Sequence, residues 1–136
     1  MAISSSTQTK TFVLYWLPVI FYCLAIFIQS SYPATQSLPA FLHADKLAHA
    51  GAYALLGFLF FRAFQTTRIQ KSAVLLVTLS ALASSTYGIS DEIHQYFVPS
   101  RTADIADMAA DSVGSIIGVI AAWMVWRKRR KSWGRP

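Results

Sequence analysis

Residues 71–97 read KSAVLLVTLSALASSTYGISDEIHQYF. From Ala73 to Ala83 the run carries no charge; then come Ser84, Ser85, Thr86 and Tyr87, followed by Asp91, Glu92, His94 and Gln95. A helix rises about 1.5 Å per residue and a bilayer core is about 30 Å thick, so roughly twenty residues from Lys71 reach the far surface near Asp91. The stretch predicts a membrane-crossing helix with its charges gathered at one end. Pro99 then stops it.

Three other stretches have the same character, which predicts spans over about 11–29, 45–64, 71–97 and 104–126. The fold class expected is an all-α, integral membrane four-helix bundle. Residues 1–10 read as a patternless, disordered Ser/Thr-rich tail, and residues 127–136 as a basic cytoplasmic tail. Pro18 lies inside the first span, where a membrane helix tolerates proline with a kink. Pro33 and Pro39 make the segment from Ser30 to His43 a loop, with Tyr32 and Phe41 suited to an interface.

Composition agrees. The 136 residues are 54% hydrophobic and 13% charged, with a mean hydropathy of +0.42. Soluble domains carry about 25% charged residues, so lipid is the expected solvent. The net charge of +6 does not point to nucleic acid, because six of the twelve basic residues fall in the last ten positions, from Arg127 to Arg135. A basic segment directly after an apolar helix is an anchor in contact with membrane lipids. Cys23 is the sole cysteine, so no intramolecular disulfide forms. The run before Gln29 is too long for a cleaved leader and is flanked by Lys10 alone, so it reads as a retained helix.

Orientation follows from basic residues near the span ends. One side collects Lys10, Arg62, Arg68, Lys71 and the six tail residues, ten in all, and the other only Lys46 and Arg101. Both termini are therefore expected to face the cytoplasm. All six acidic residues (Asp45, Asp91, Glu92, Asp104, Asp107 and Asp111) then fall toward the extracytoplasmic side.

Three helical stripes bring these residues to one depth. Asp45, His49 and Tyr53 are spaced i, i+4, i+8; Tyr87, Asp91 and His94 or Gln95 share a face; Asp104, Asp107 and Asp111 are spaced i, i+3, i+7. A charge inside a span costs about 2.5–3.5 kcal/mol, so Asp107 and Asp111 must turn inward and find donors among Lys46, Arg101 and the histidines. Asp45 and Asp104 equally suit helix N-terminal capping. Arg101 suits either a structural salt bridge or a clamp on carboxylate or phosphate. Gly57 and the pair Gly114 and Gly118 read as helix-packing positions. Imidazole with carboxylates at one depth makes a divalent metal conceivable, with His49, Asp91, His94 and Asp107 as candidate ligands. The same groups with Glu92 are candidates for acid–base catalysis.

At these residues the chain resembles the VanZ-like family of bacterial membrane proteins. The resemblance rests on Asp45-Lys46-x-x-His49-x-x-x-Tyr53, on Tyr87-Gly88-x-x-Asp91-Glu92-x-His94-Gln95-x-Phe97-x-Pro99-x-Arg101, and on Asp104-x-x-Asp107 with Gly114 and Gly118. It covers about residues 43–120, the first helix agreeing in placement only. It implies a cell-envelope setting, in a bacterial inner membrane, and its founding member is associated with teicoplanin resistance. It supplies no reaction. Where the family leads one to expect an asparagine, this chain has Asp111, an extra carboxylate able to sit protonated.

Three functions are compatible with this reading. The first is an extracytoplasmic polar pocket that binds or modulates the headgroup of an envelope lipid or peptidoglycan precursor, with Lys46 and Arg101 meeting anionic groups. The second is a metal-dependent or acid–base hydrolase or transferase acting on an envelope lipid. The third is a proton-coupled transporter, which four helices would need a homodimer to build.

Overall fold

The computed structural model describes residues 5–33, 44–99 and 101–133. Among them, four helices are long and apolar enough to cross a membrane: Ser6–Ser30, Ala44–Phe64, Ala73–Tyr96 and Ile105–Arg130. The described residues contain no strand, and the chain is an all-α four-helix bundle. The shortest span has 21 residues, long enough at about 1.5 Å each to match a bilayer core of about 30 Å. Residues 1–4, 34–43 (with Pro39 and Phe41) and 134–136 lie outside the described set, as does Ser100.

The first helix differs from expectation at its start. It begins at Ser5, so residues 5–10 are helical and not a disordered tail. A helix nucleated in an apolar run extends at little cost, and the Thr11 hydroxyl adds a bond to the Thr7 carbonyl at 3.0 Å. Pro18 leaves the helix without one amide donor. The chain answers with a π turn over Phe12–Trp16, in which the Leu17 amide reaches the Phe12 carbonyl, and the helix continues through Leu17–Ser30.

The second and fourth helices run in the same direction and pack most closely. Gly57, Gly114 and Gly118 make that possible: a Cβ on any of them would run into the backbone of Ser115, Ala50 or Ala54, respectively. Such small residues let backbones touch, which is what association in lipid requires. The third helix closes the group, with the Ser84 and Ser115 hydroxyls sharing a bond of 2.7 Å at its centre. Below this lies an apolar core of Phe61, Leu76, Val119 and Ala122.

The first helix leans on the other three and exposes Leu14, Phe21, Leu24 and Ile28, a surface suited to lipid. Hydrogen bonds hold it. Tyr22 donates to the Ala52 carbonyl at 3.2 Å, Tyr87 to the Cys23 carbonyl at 2.7 Å, and Trp16 to Thr66 at 3.3 Å.

Two boundaries shift for identifiable reasons. Arg68–Lys71 form a 3-10 turn, and Ser72 caps the third helix by accepting from the Leu75 amide at 3.3 Å. The fourth helix runs on to Trp133, so the basic segment begins as helix. Cations suit a helix C-terminus, and Arg127 and Arg130 stack on Trp123 and Trp126, one turn back, at 5.4 and 4.8 Å.

The start of the first helix, the end of the second and the end of the fourth share one end of the bundle. Arg62 covers the Tyr15 ring at 5.4 Å, and Phe61 meets Trp126 edge-on at 6.2 Å. Gly118→Ala should force the two helices apart and lower stability by about 1–3 kcal/mol. Gly51, with nothing within 4 Å of an added Cβ, should accept alanine with a gain of up to about 1 kcal/mol. Unfolding in mixed detergent micelles reads both.

Candidate functional site

At the opposite end of the bundle, the first turns of the second and fourth helices lie side by side. The register set by the glycines puts Lys46 across from Asp104 and Asp107, and His49 across from Asp111. Two tiers result.

The upper tier is an ion cluster around one ammonium. Lys46 Nζ lies 3.3 Å from Asp45, 2.9 Å from Asp104 and 2.7 Å from Asp107. Asp107 is shielded, with 14% of its side chain exposed, while Asp45 and Asp104 are 57% and 47% exposed. Asp104 also caps the fourth helix, its Oδ1 accepting from the Ala106 amide at 2.8 Å. The Lys46 hydrogen bond and that amide hold the Asp104 carboxyl below the usual carboxylate range. The inward-facing stripe of the second helix is thus Lys46–His49–Tyr53, with Asp45 at the rim.

The lower tier is buried. His49 Nδ1 sits 3.0 Å from Asp111 Oδ1 and 3.9 Å from Glu92 Oε1. Both carboxylates are fully buried, at 0% exposure, while His49 keeps 20%. Glu92 Oε2 accepts the Asp104 amide at 3.1 Å, which ties it to the start of the fourth helix. Glu92 Oε1 and Asp111 Oδ2 are buried with no hydrogen-bond partner. The Tyr53 hydroxyl, also buried, has no hydrogen-bond partner. Gly88 makes the floor: a Cβ there would meet Asp111 Cβ at 2.9 Å and the Tyr53 ring at 3.1 Å.

The remaining candidates serve the join with the first helix. Arg101 donates Nε to the Tyr32 carbonyl at 2.9 Å and an Nη to the Gln29 carbonyl at 3.0 Å. It thereby caps the C-terminal end of the first helix, where a cation is favoured. A chain of bonds runs on from Arg101 to Gln95 at 3.4 Å and from Gln95 to Asp91 at 3.1 Å. His94 turns away from the second helix: its Nε2 meets Ser31 Oγ at 3.0 Å, and its ring lies against Phe27 at 4.5 Å. Tyr87 faces the first helix too.

The expected metal ligands are therefore not brought together as a set. Among the described residues, the group with ligand-type atoms within 4.8 Å of one another is His49, Glu92 and Asp111. Asp91, His94 and Asp107 are engaged elsewhere, by Gln95, Ser31 and Lys46. Sequence reasoning gave Gly88 no role in the site. Its signal was the spacing Ser80–Ser84–Gly88–Glu92, a stripe of small residues at i+4 steps leading to an acid.

Four apolar helices around a polar cluster confined to one end define a small multi-pass membrane protein. The chain belongs to the VanZ/LLP1 family, whose model matches residues 3–127. That match takes in the first helix as well as the motif-bearing segments. No curated protein and no solved structure matches the chain.

Lys46→Met should lower the unfolding midpoint in detergent, because it leaves the shielded Asp107 uncompensated. Asp107→Asn added to it should restore part of the loss, and Asp45→Asn alone should change little. Additive losses in that double-mutant cycle would show that the ion pair is not coupled.

Proposed function

We propose that this chain is a protein of the bacterial cytoplasmic membrane, with both termini inside. On this reading it binds or modulates the headgroup of an envelope lipid or peptidoglycan precursor from its extracytoplasmic end. One observation carries the reading: the half-exposed mouth formed by Asp45, Lys46, Asp104 and Asp107 gathers three carboxylates around one ammonium. Charges are costly at membrane depth, and an acid surplus at headgroup level favours a ligand that brings amino or hydroxyl donors.

Lys46 and Arg101 are already engaged within the protein. That argues against either as a free clamp for an anionic group and shifts recognition to Asp104 and Asp107. The ten-to-two division of basic residues supports the orientation. Membership of the VanZ family supports an envelope setting and a link to glycopeptide resistance of the kind associated with its founding member.

A fluorescent protein fused after Pro136 should fold and fluoresce, while alkaline phosphatase fused there should stay inactive; the reverse pattern would invert the topology. Binding is read with amine-bearing precursor or lipid presented to the protein in nanodiscs. Asp107→Asn or Asp104→Asn should weaken it about tenfold, the worth of one charge-assisted hydrogen bond. Arg101→Lys should leave it within about threefold, since Arg101 acts away from the mouth. Equal affinity across all variants would remove the basis for this reading.

A further inference from the structure

We propose that His49, Glu92 and Asp111 form a site for one divalent transition cation, with Mn2+ or Zn2+ the fitting ions. The site lies below the mouth and stands independently of what the mouth binds.

The geometry comes first. One ligand atom from each residue lies within 4.8 Å of the other two. His49 Nδ1 is 3.0 Å from Asp111 Oδ1 and 3.9 Å from Glu92 Oε1, which straddles the roughly 3.3–3.6 Å between neighbouring ligands of a tetrahedral ion bound at about 2.0–2.2 Å. The residues come from three helices that pack against one another, so the spacing is held by the fold and not by a loop.

Unfilled valence is the second observation. Glu92 and Asp111 have no exposed surface, yet Glu92 Oε1 and Asp111 Oδ2 have no hydrogen-bond partner. Glu92 Oε1 is the oxygen turned toward His49, at 3.9 Å. A buried carboxylate oxygen left without a partner is expensive, and such atoms in a native fold call for an ion, a proton or water.

Charge favours an ion over a single proton. Two carboxylates and a neutral imidazole carry −2, which a divalent ion cancels in full. A protonated His49 cancels only half. The nearest fixed cation, Lys46, is held by Asp45, Asp104 and Asp107, and Arg101 is held by the end of the first helix. Neither reaches the lower tier.

The supporting contacts are those of a built site. The Asp104 amide fixes the other Glu92 oxygen at 3.1 Å, which leaves Oε1 free to ligate. Gly88 gives the Asp111 carboxylate its room. An ion approaching from outside meets the acidic mouth first, which raises its local concentration. Imidazole suits transition metals while carboxylates suit harder ions, so the mixed set favours Mn2+ or Zn2+ over Ca2+ or Mg2+. Three protein donors leave coordination positions for water or a ligand oxygen.

The test uses the full chain in detergent, stripped with chelator, dialysed and titrated with Mn2+ followed by electron paramagnetic resonance, and with Zn2+ followed by calorimetry. The expected result is one ion per chain, a nitrogen coupling from histidine on the Mn2+ signal, and a higher unfolding midpoint with metal. Glu92→Gln and Asp111→Asn should each weaken binding at least tenfold, and His94→Gln should not. If those variants fail to fold, the stoichiometry and nitrogen coupling of the unmutated protein decide alone. The proposal is overturned if folded protein binds no ion, or if binding persists in both carboxylate variants. Loss only on Asp104→Asn and Asp107→Asn would place the ion at the mouth and overturn it too. An infrared band of a protonated carboxyl that metal does not remove would assign the pair a shared proton instead. Because no headgroup is present, failure here leaves the mouth's binding untouched, and failure there leaves this site untouched.

Discussion

The close approach of the second and fourth helices is the constraint on which the rest depends. In lipid there is no hydrophobic gain from pressing two apolar helices together, so contact must come from packing of backbones and from hydrogen bonds. Gly57, Gly114 and Gly118 remove the side chains that would hold the helices apart. The register they impose is the one in which Lys46 meets Asp107, His49 meets Asp111 and Phe61 meets Trp126. Packing at the bundle's centre thus decides which charges meet at its end.

The polar end divides by the work its groups do. Lys46 pairs with a rim of carboxylates, Asp104 caps a helix as well as pairing, and Arg101 ends the first helix while linking through Gln95 to Asp91. Those contacts satisfy donors and acceptors, which low dielectric makes obligatory. Glu92 and Asp111, beside His49, stand apart because each keeps a buried carboxylate oxygen without a partner. The difference separates a structural network from a place with capacity for a ligand.

The first helix is attached by a different principle. Its outer face is left to lipid, and its inner face is held by Tyr22, Tyr87, Arg101 and the His94–Ser31 contact. Polar bonds between helices are modest individually in a membrane, averaging about 0.6 kcal/mol in one well-measured case. Several spread along the helix hold it in place without the tight backbone contact that joins the second and fourth.

The polar end itself was legible from the residues alone. Hydropathy and span length showed four helices, and the placement of six acids showed that the polar residues share one end. The stripe Asp104–Asp107–Asp111 was also readable, because spacing along one helix needs no partner. The partners were not readable. Tyr87 and His94 share their helix with Asp91 and Glu92, yet they face the first helix, and Glu92, not Asp91, lies beside His49. Each residue step turns a helix by about 100°, so neighbours in the sequence look toward different helices. Solvent preference and depth are properties of each segment, and the sequence determined them by itself. Which charge answers which depends on the rotation and register of packed helices, and only the tertiary structure decided that.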